Sequence, residues 1–232
     1  MMLSDKDLKM LALDYGLVTP FIPENCEGAT IDITLGNNIK KLKKTSDKII
    51  MGQKVTEDDY ENINLMNEKF ELQPGESILI QSNEYFKIPV DKTAQFMERY
   101  SVKLLGLLIS PSSYMNPGYE GTMSFVAYNQ TSVPIEMVPG IKFAQLAVFQ
   151  LTSSSEKPYH EQDAKYLGSN MVNISKLHMD TDIQDFLVSS GIPGVNAENS
   201  KLLGEFLLKK IDVSAERIAE ELREKFGDLH EQ

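Results

Sequence analysis

The 232-residue chain has one Cys, no Trp and only three His, and its 23 basic residues are outnumbered by 34 acidic ones. Each shortage excludes something. A single Cys26 cannot form an internal disulfide, which suits a reducing compartment. Cys26, His160, His178 and His230 lie too far apart in sequence to make a short-spaced zinc ligand set, so zinc-dependent nucleobase deaminase chemistry is excluded and no resident metal is expected. A net charge of −11 argues against nucleic acid or an anionic membrane as the main partner. No apolar run approaches the roughly 18–20 residues of a membrane span. The opening Met1-Met2-Leu3-Ser4-Asp5-Lys6-Asp7-Leu8 carries acids where a signal peptide would be basic and then apolar. A cytoplasmic protein is the expectation.

What is present suffices for a folded domain: 41% of residues are hydrophobic, enough for a sizeable core. Leu8, Leu11 and Ala12 recur at helical spacing behind Ser4 and Asp5, and Gly16 closes a first helix over 4–15. In residues 28–35 Ile31, Ile33 and Leu35 alternate with Asp32 and Thr34, the pattern of a half-buried strand that turns Asp32 away from the isoleucines. From Phe70 to Phe149, β-rich runs at 77–81, 123–128 and 143–151 are separated by turns at Pro74-Gly75, Pro117-Gly118 and Pro139-Gly140. In each, Pro presets φ and Gly permits positive φ. This is the pattern of a compact jelly-roll or barrel. Residues 51–68, charged and weakly periodic, read as an insertion or loop. After about Ser175 helical stripes follow over 182–188, 197–211 and 213–229. They pack on the barrel or on each other, or offer a protein partner a surface.

Five segments, in this order, resemble the dCTP deaminase branch of the dUTPase superfamily. They are Gly28-Ala29-Thr30-Ile31-Asp32-Ile33-Thr34-Leu35-Gly36-Asn37; Arg99-Tyr100-Ser101-Val102-Lys103-Leu104-Leu105-Gly106-Leu107; Asn116-Pro117-Gly118-Tyr119-Glu120-Gly121; the stretch from Pro134 to Gly140 with Ala144-Gln145-Leu146; and Pro158-Tyr159 with Asp163-Ala164-Lys165-Tyr166. The resemblance spans roughly residues 1–177. It implies a mainly β, distorted jelly-roll of the dUTPase-like type with an N-terminal helix, occupying 1–177, and leaves 178–232 as a helical C-terminal extension. It further implies a homotrimer with nucleotide sites between subunits, and Mg²⁺ brought in on a deoxypyrimidine nucleoside triphosphate.

Carried over position by position, the resemblance gives Arg99, Ser101, Tyr159 and Lys165 to the phosphates and Asp32 to the first motif. An arginine fork suits phosphate. The positions that carry chemistry are different. Val126 stands where the deaminases have the Glu that activates water, Tyr100 replaces the first serine of an Arg-Ser-Ser motif, and Leu104 replaces an arginine. Asn116 takes the place of the Asp that activates water in dUTPases, and an amide has no useful basic form. Ser169 and Asn170 replace a Gln-Gly signature downstream. Loss of a positioned base alone costs typically 10²–10⁴-fold in rate. Binding without efficient turnover is therefore the leading expectation. The alternatives are an active enzyme with a base relocated to Glu98, Glu120 or Asp32, and a trimeric scaffold that binds no nucleotide.

Overall fold

The computed structural model describes residues 1–43, 48–110 and 113–192. The expected helices over 197–211 and 213–229 lie outside the described residues. The strands are β1 (Val18–Thr19), β2 (Cys26–Glu27), β3 (Thr30–Leu42), β4 (Tyr60–Asn64), β5 (Glu71–Leu72), β6 (Ser77–Lys87), β7 (Lys92–Glu98), β8 (Leu107–Ile109), β9 (Tyr114–Met115), β10 (Glu120–Asn129), β11 (Ile135–Glu136) and β12 (Lys142–Gln150). The α-helices are α1 (Asp5–Tyr15), α2 (Tyr100–Leu104) and α3 (Thr181–Ser189). The described residues fall into two compact units, one drawn from residues 1–43, 56–110 and 113–174 and the other from 48–55 and 175–192.

The first unit is an antiparallel sheet in the order β8-β10-β6-β3-β12-β7-β9, with β1 on β6 and β2 and β4 on β3. A separate pair joins β11 to β5. Strand β3 serves both halves of the sheet. Its residues 31–34 pair with β12, whereas Leu35, Ile39 and Lys40 pair with β6 across a register shift. The shift falls at Gly36, where a Cβ would stand 3.0 Å from Gln81 Cγ and 3.1 Å from the Gln81 carbonyl oxygen. A residue without a side chain lets the two backbones approach there, and the bulge curls the sheet into a half-barrel. This is the mainly β fold expected from the sequence, with its N-terminal helix and, in α3, a C-terminal one.

Facing strands close over a chain of aromatic rings. Phe86 (β6), Phe96 (β7), Phe125 (β10) and Phe143 (β12) meet edge to face with centroids 5.2, 5.0 and 5.1 Å apart, the geometry aromatic quadrupoles prefer. Buried Leu8 and Ala12 of α1 seal one side of the same core. The three Pro-Gly turns form as their residues dictate. Gly75, Gly118 and Gly140 have φ of 75°, 79° and 81°, and the turns close through Glu76 N–H to Gln73 O and Tyr119 N–H to Asn116 O.

Strand β4 is a departure from the loop expected over 51–68. It pairs with β3 in the register Asn38↔Asn64, Ile39↔Ile63, Lys40↔Asn62. Only Ile63 of its five residues is buried, so its sequence shows no alternation of apolar and polar residues. In the second unit the Gln184 side chain of α3 donates to the Gly52 carbonyl oxygen at 2.9 Å. Among the described residues no helix is long and apolar enough to cross a membrane.

Candidate functional site

Asp32 and Arg99, 67 positions apart in sequence, meet on the outer face of the sheet. Asp32 lies on β3 between buried Ile31 and Ile33 and so projects outward. Arg99 follows the last residue of β7, where its N–H donates to the Phe143 carbonyl oxygen of β12. Its Nε stands 3.4 Å from Asp32 Oδ1. Lys142, the first residue of β12, brings its Nζ within 3.2 Å of Asp32 Oδ2. Gln145, directly opposite Asp32 in the β3–β12 register, donates to Oδ1 at 3.2 Å. One carboxylate thus holds two cations and an amide together. The cluster carries a net positive charge on a protein of net charge −11, which suits an anionic ligand. Sequence reasoning missed Lys142, whose approach to Asp32 is set by strand pairing rather than by any local motif.

Ser101 lies in α2, two residues past Arg99, and is exposed. Tyr100, Leu104 and Val126 are also at the surface, 73%, 68% and 41% exposed. Val126 is on the outward face of β10, between buried Phe125 and Ala127, and its N–H donates to Ser110 Oγ. Burial supplies no reason for an apolar side chain at any of the three.

A second group forms around the Asn116–Tyr119 turn. Tyr159 N–H donates to the Pro117 carbonyl oxygen at 2.7 Å, and the Tyr159 ring packs on Tyr119 at 5.5 Å between centroids. Burial holds the Tyr119 hydroxyl well above its ordinary pKa, and it donates to the Thr122 carbonyl oxygen. Gly118 makes the docking possible, since a Cβ there would sit 2.7 Å from His160 Nδ1 and 2.9 Å from Pro158 Cβ. The chain then passes Lys165 and runs beside the start of β10. Gly168 N–H donates to the Glu120 carbonyl oxygen, and Thr122 N–H to that of Ser169. Two sequence motifs quoted apart are thereby one structural feature. Asn116 is half-buried at its base.

The carboxylates weighed as relocated bases are all engaged with cations. Glu98 takes Lys103 at 2.7 Å and Glu120 takes Lys87 at 3.2 Å; both contacts hold the lysines above their ordinary pKa. Asp32 takes Arg99 and Lys142. Among the described residues no three His, Cys, Asp or Glu converge as a metal site.

A curled antiparallel sheet bearing an arginine–carboxylate–lysine cluster on its outer face defines the class: a mainly β half-barrel. The family is defined more narrowly, because residues 2–151 match the model described as dCTP deaminase-like, and the chain belongs to that family. It is 32% identical over 197 residues to a dCTP deaminase, dUMP-forming, of Methanosphaera stadtmanae, covering 78% of this chain and 96% of the relative. To the protein of the same description in Nanoarchaeum equitans it is 29% identical over 198 residues, covering 78% and 99%. The crystal structure of the 2'-deoxycytidine 5'-triphosphate deaminase from Agrobacterium tumefaciens superposes with a TM-score of 0.50 at 16% identity, over 63% of this chain. That match spans about half, 47%, of the Agrobacterium chain and bears on the fold alone.

Proposed function

We propose that this protein acts in deoxypyrimidine nucleotide metabolism by binding a deoxynucleoside triphosphate, carried as its Mg²⁺ complex, and that it turns the nucleotide over slowly or not at all. Family membership supports the ligand class, since the relatives are described as dCTP deaminases. The observation that carries the reading is the contrast within one short segment. Arg99 is held in an ion-paired cluster, while Tyr100 and Leu104 beside it present an aromatic ring and an aliphatic chain to solvent. The first can hold phosphate; neither of the others offers a base near neutral pH, since Leu104 is aliphatic and the Tyr100 phenol has a pKa near 10.

In this reading Arg99, Ser101 and Lys142 receive phosphate from one side, and Tyr159 and Lys165 from the other. The two groups complete a single site between neighbouring copies of a cyclic homotrimer. Mg²⁺ arrives as part of the ligand, with Asp32 as the carboxylate beside it. The assembly works in the cytoplasm, with residues 1–177 forming the nucleotide-binding domain and the extension 178–232 available to a protein partner.

The test is calorimetry of the full chain with dCTP, dUTP, dTTP and ribonucleotides in the presence of Mg²⁺, beside chromatographic analysis of products and light scattering. Arg99→Ala is expected to weaken binding by about 1.5–3 kcal/mol, the range for hydrogen bonds to charged groups. Product formation is expected far below about 1 s⁻¹, the lower end of ordinary enzyme turnover. No binding of any nucleotide tighter than about millimolar, some −4 kcal/mol, would overturn the proposal in favour of a scaffold. Turnover near 1 s⁻¹ would restore an active enzyme.

A further inference from the structure

A cavity of mixed polar and apolar lining lies on the β3–β4 ribbon, built by residues that take no part in the Arg99 cluster. The register places Asn38 opposite Asn64 and Lys40 opposite Asn62. Because side chains alternate across a strand, these four share one face, while Ile39 and Ile63 between them are buried in the core. With Glu57, Met171 and Val172 they line a cavity of about 480 Å³, within the size range of small-molecule sites.

Lys40 is its buried charge. Its side chain is 7% exposed, and its ammonium reaches both oxygens of Glu57 at 2.7 and 2.6 Å. A buried ammonium needs such a partner. Glu57, however, is 57% exposed and stands on a single turn of 3₁₀-helix over residues 57–59, so it meets the lysine from the solvent side. The rest of the wall sets three carboxamides among apolar side chains. Among the described residues the side chains of Asn38 and Asn62 have no hydrogen-bond partner, and Asn64 uses only its Oδ1, which accepts the Met66 N–H. Three carboxamide NH₂ groups therefore remain for a ligand, beside a lysine proton that the two Glu57 oxygens leave over. Exposed Met171 and buried Val172 add an apolar wall.

The geometry points to a binding site for a small organic oxyanion, a carboxylate or phosphate monoester with an apolar or ring body, that takes the place of Glu57 on Lys40. Exchanging one oxyanion for another keeps the buried ammonium compensated, so the exchange itself costs little. The amide NH₂ groups then hold the remaining oxygens, and Met171 and Val172 cover the body. The site does not rest on the nucleotide reading, and Arg99→Ala should leave it unchanged.

The experiment titrates the full chain with inorganic phosphate, phenyl phosphate and benzoate, following calorimetric heats and the ¹⁵N-labelled Asn side-chain amides by NMR. Phenyl phosphate or benzoate is expected to bind and to shift the Asn38, Asn62 and Asn64 amides, and the tighter of the two identifies the head group. Glu57→Gln, which removes the competing carboxylate, should tighten binding about fivefold, the equivalent of a strong exposed ion pair. Lys40→Met should abolish it. Should Lys40→Met not fold, Asn62→Leu at its exposed position decides, with binding reduced severalfold at unchanged melting temperature. Glu57→Gln binding no tighter than wild type, or amide shifts confined to other asparagines, overturns the proposal. Inorganic phosphate binding as tightly as phenyl phosphate overturns the role of the apolar wall.

Discussion

Replacing Asp32 by Asn would separate the two parts this carboxylate plays, as tether for Arg99 and Lys142 and as a negative charge in the path of an incoming anion. Asp32 touches the two cations at 3.4 and 3.2 Å; its side chain is 15% exposed and theirs 36% and 35%. Asn has the same shape and keeps an oxygen for Gln145 Nε2. A phosphate oxygen settling on both cations would lie about 6 Å from Asp32. At an effective dielectric of about 20, unit charges that far apart interact by roughly 3 kcal/mol. Because the cluster is open to solvent on its cation side, an effective dielectric of about 40 is nearer, which halves this to about 1.4 kcal/mol, or tenfold in Kd. Without Mg²⁺ and at low salt, inorganic triphosphate should therefore bind Asp32→Asn about tenfold tighter than wild type in calorimetry. The gain should shrink at about 0.5 M salt and on adding Mg²⁺, whose charge offsets the repulsion from Asp32. Stability should move the other way, because two partly exposed ion pairs worth about 0.5–2 kcal/mol together are lost. Equal or weaker triphosphate binding by a folded Asp32→Asn protein without Mg²⁺ would refute the reasoning.

Three further outcomes are expected. Burial raises the pKa of Glu84, against partly offsetting hydrogen bonds from the Thr34 hydroxyl and N–H. The native state then keeps this proton to higher pH than the unfolded chain, so stability falls as pH rises from the ordinary glutamate value, about 4.3, through the raised one. Urea unfolding across that range should show a flatter profile for Glu84→Gln. Gly118→Ala, at φ 79° with His160 and Pro158 in the way of a Cβ, should cost about 1–3 kcal/mol. It should also expose the segment 158–166 to limited proteolysis; unchanged protection there would contradict the docking role. Val126→Glu, at an exposed strand position, should change stability by less than about 1 kcal/mol. On the proposed reading product analysis should find no gain in dCTP turnover over wild type, because Leu104 is aliphatic and the Tyr100 ring takes the place of a short serine hydroxyl.

The local patterns were readable in the sequence because their causes are local. Helical spacing behind Ser4 marked α1, alternation at Ile31 and Ile33 marked the start of β3, and each Pro-Gly pair marked a turn that forms with positive φ at its glycine. Arg99 and Asp32 were legible too, although only as separate motifs. The continuation of β3 past Gly36-Asn37-Asn38 was hidden, since Gly and Asn are depleted in strands and the apolar alternation stops there, while a bulge carries the strand through them. Strand β4 was hidden because one face of it is polar and lines a cavity, which leaves a single buried residue to reveal it.

By itself the sequence determined the family, the mainly β architecture and the turns, all carried by residue identity and short-range spacing. The tertiary structure alone decided that Asp32 holds Arg99 and Lys142 together, that Tyr159 docks on the Asn116–Tyr119 turn, and that Lys40 and three asparagines face one cavity. Those arrangements follow from strand register and sheet curl. A shift of one residue in pairing would turn every such side chain to the opposite face while leaving each local pattern as it was.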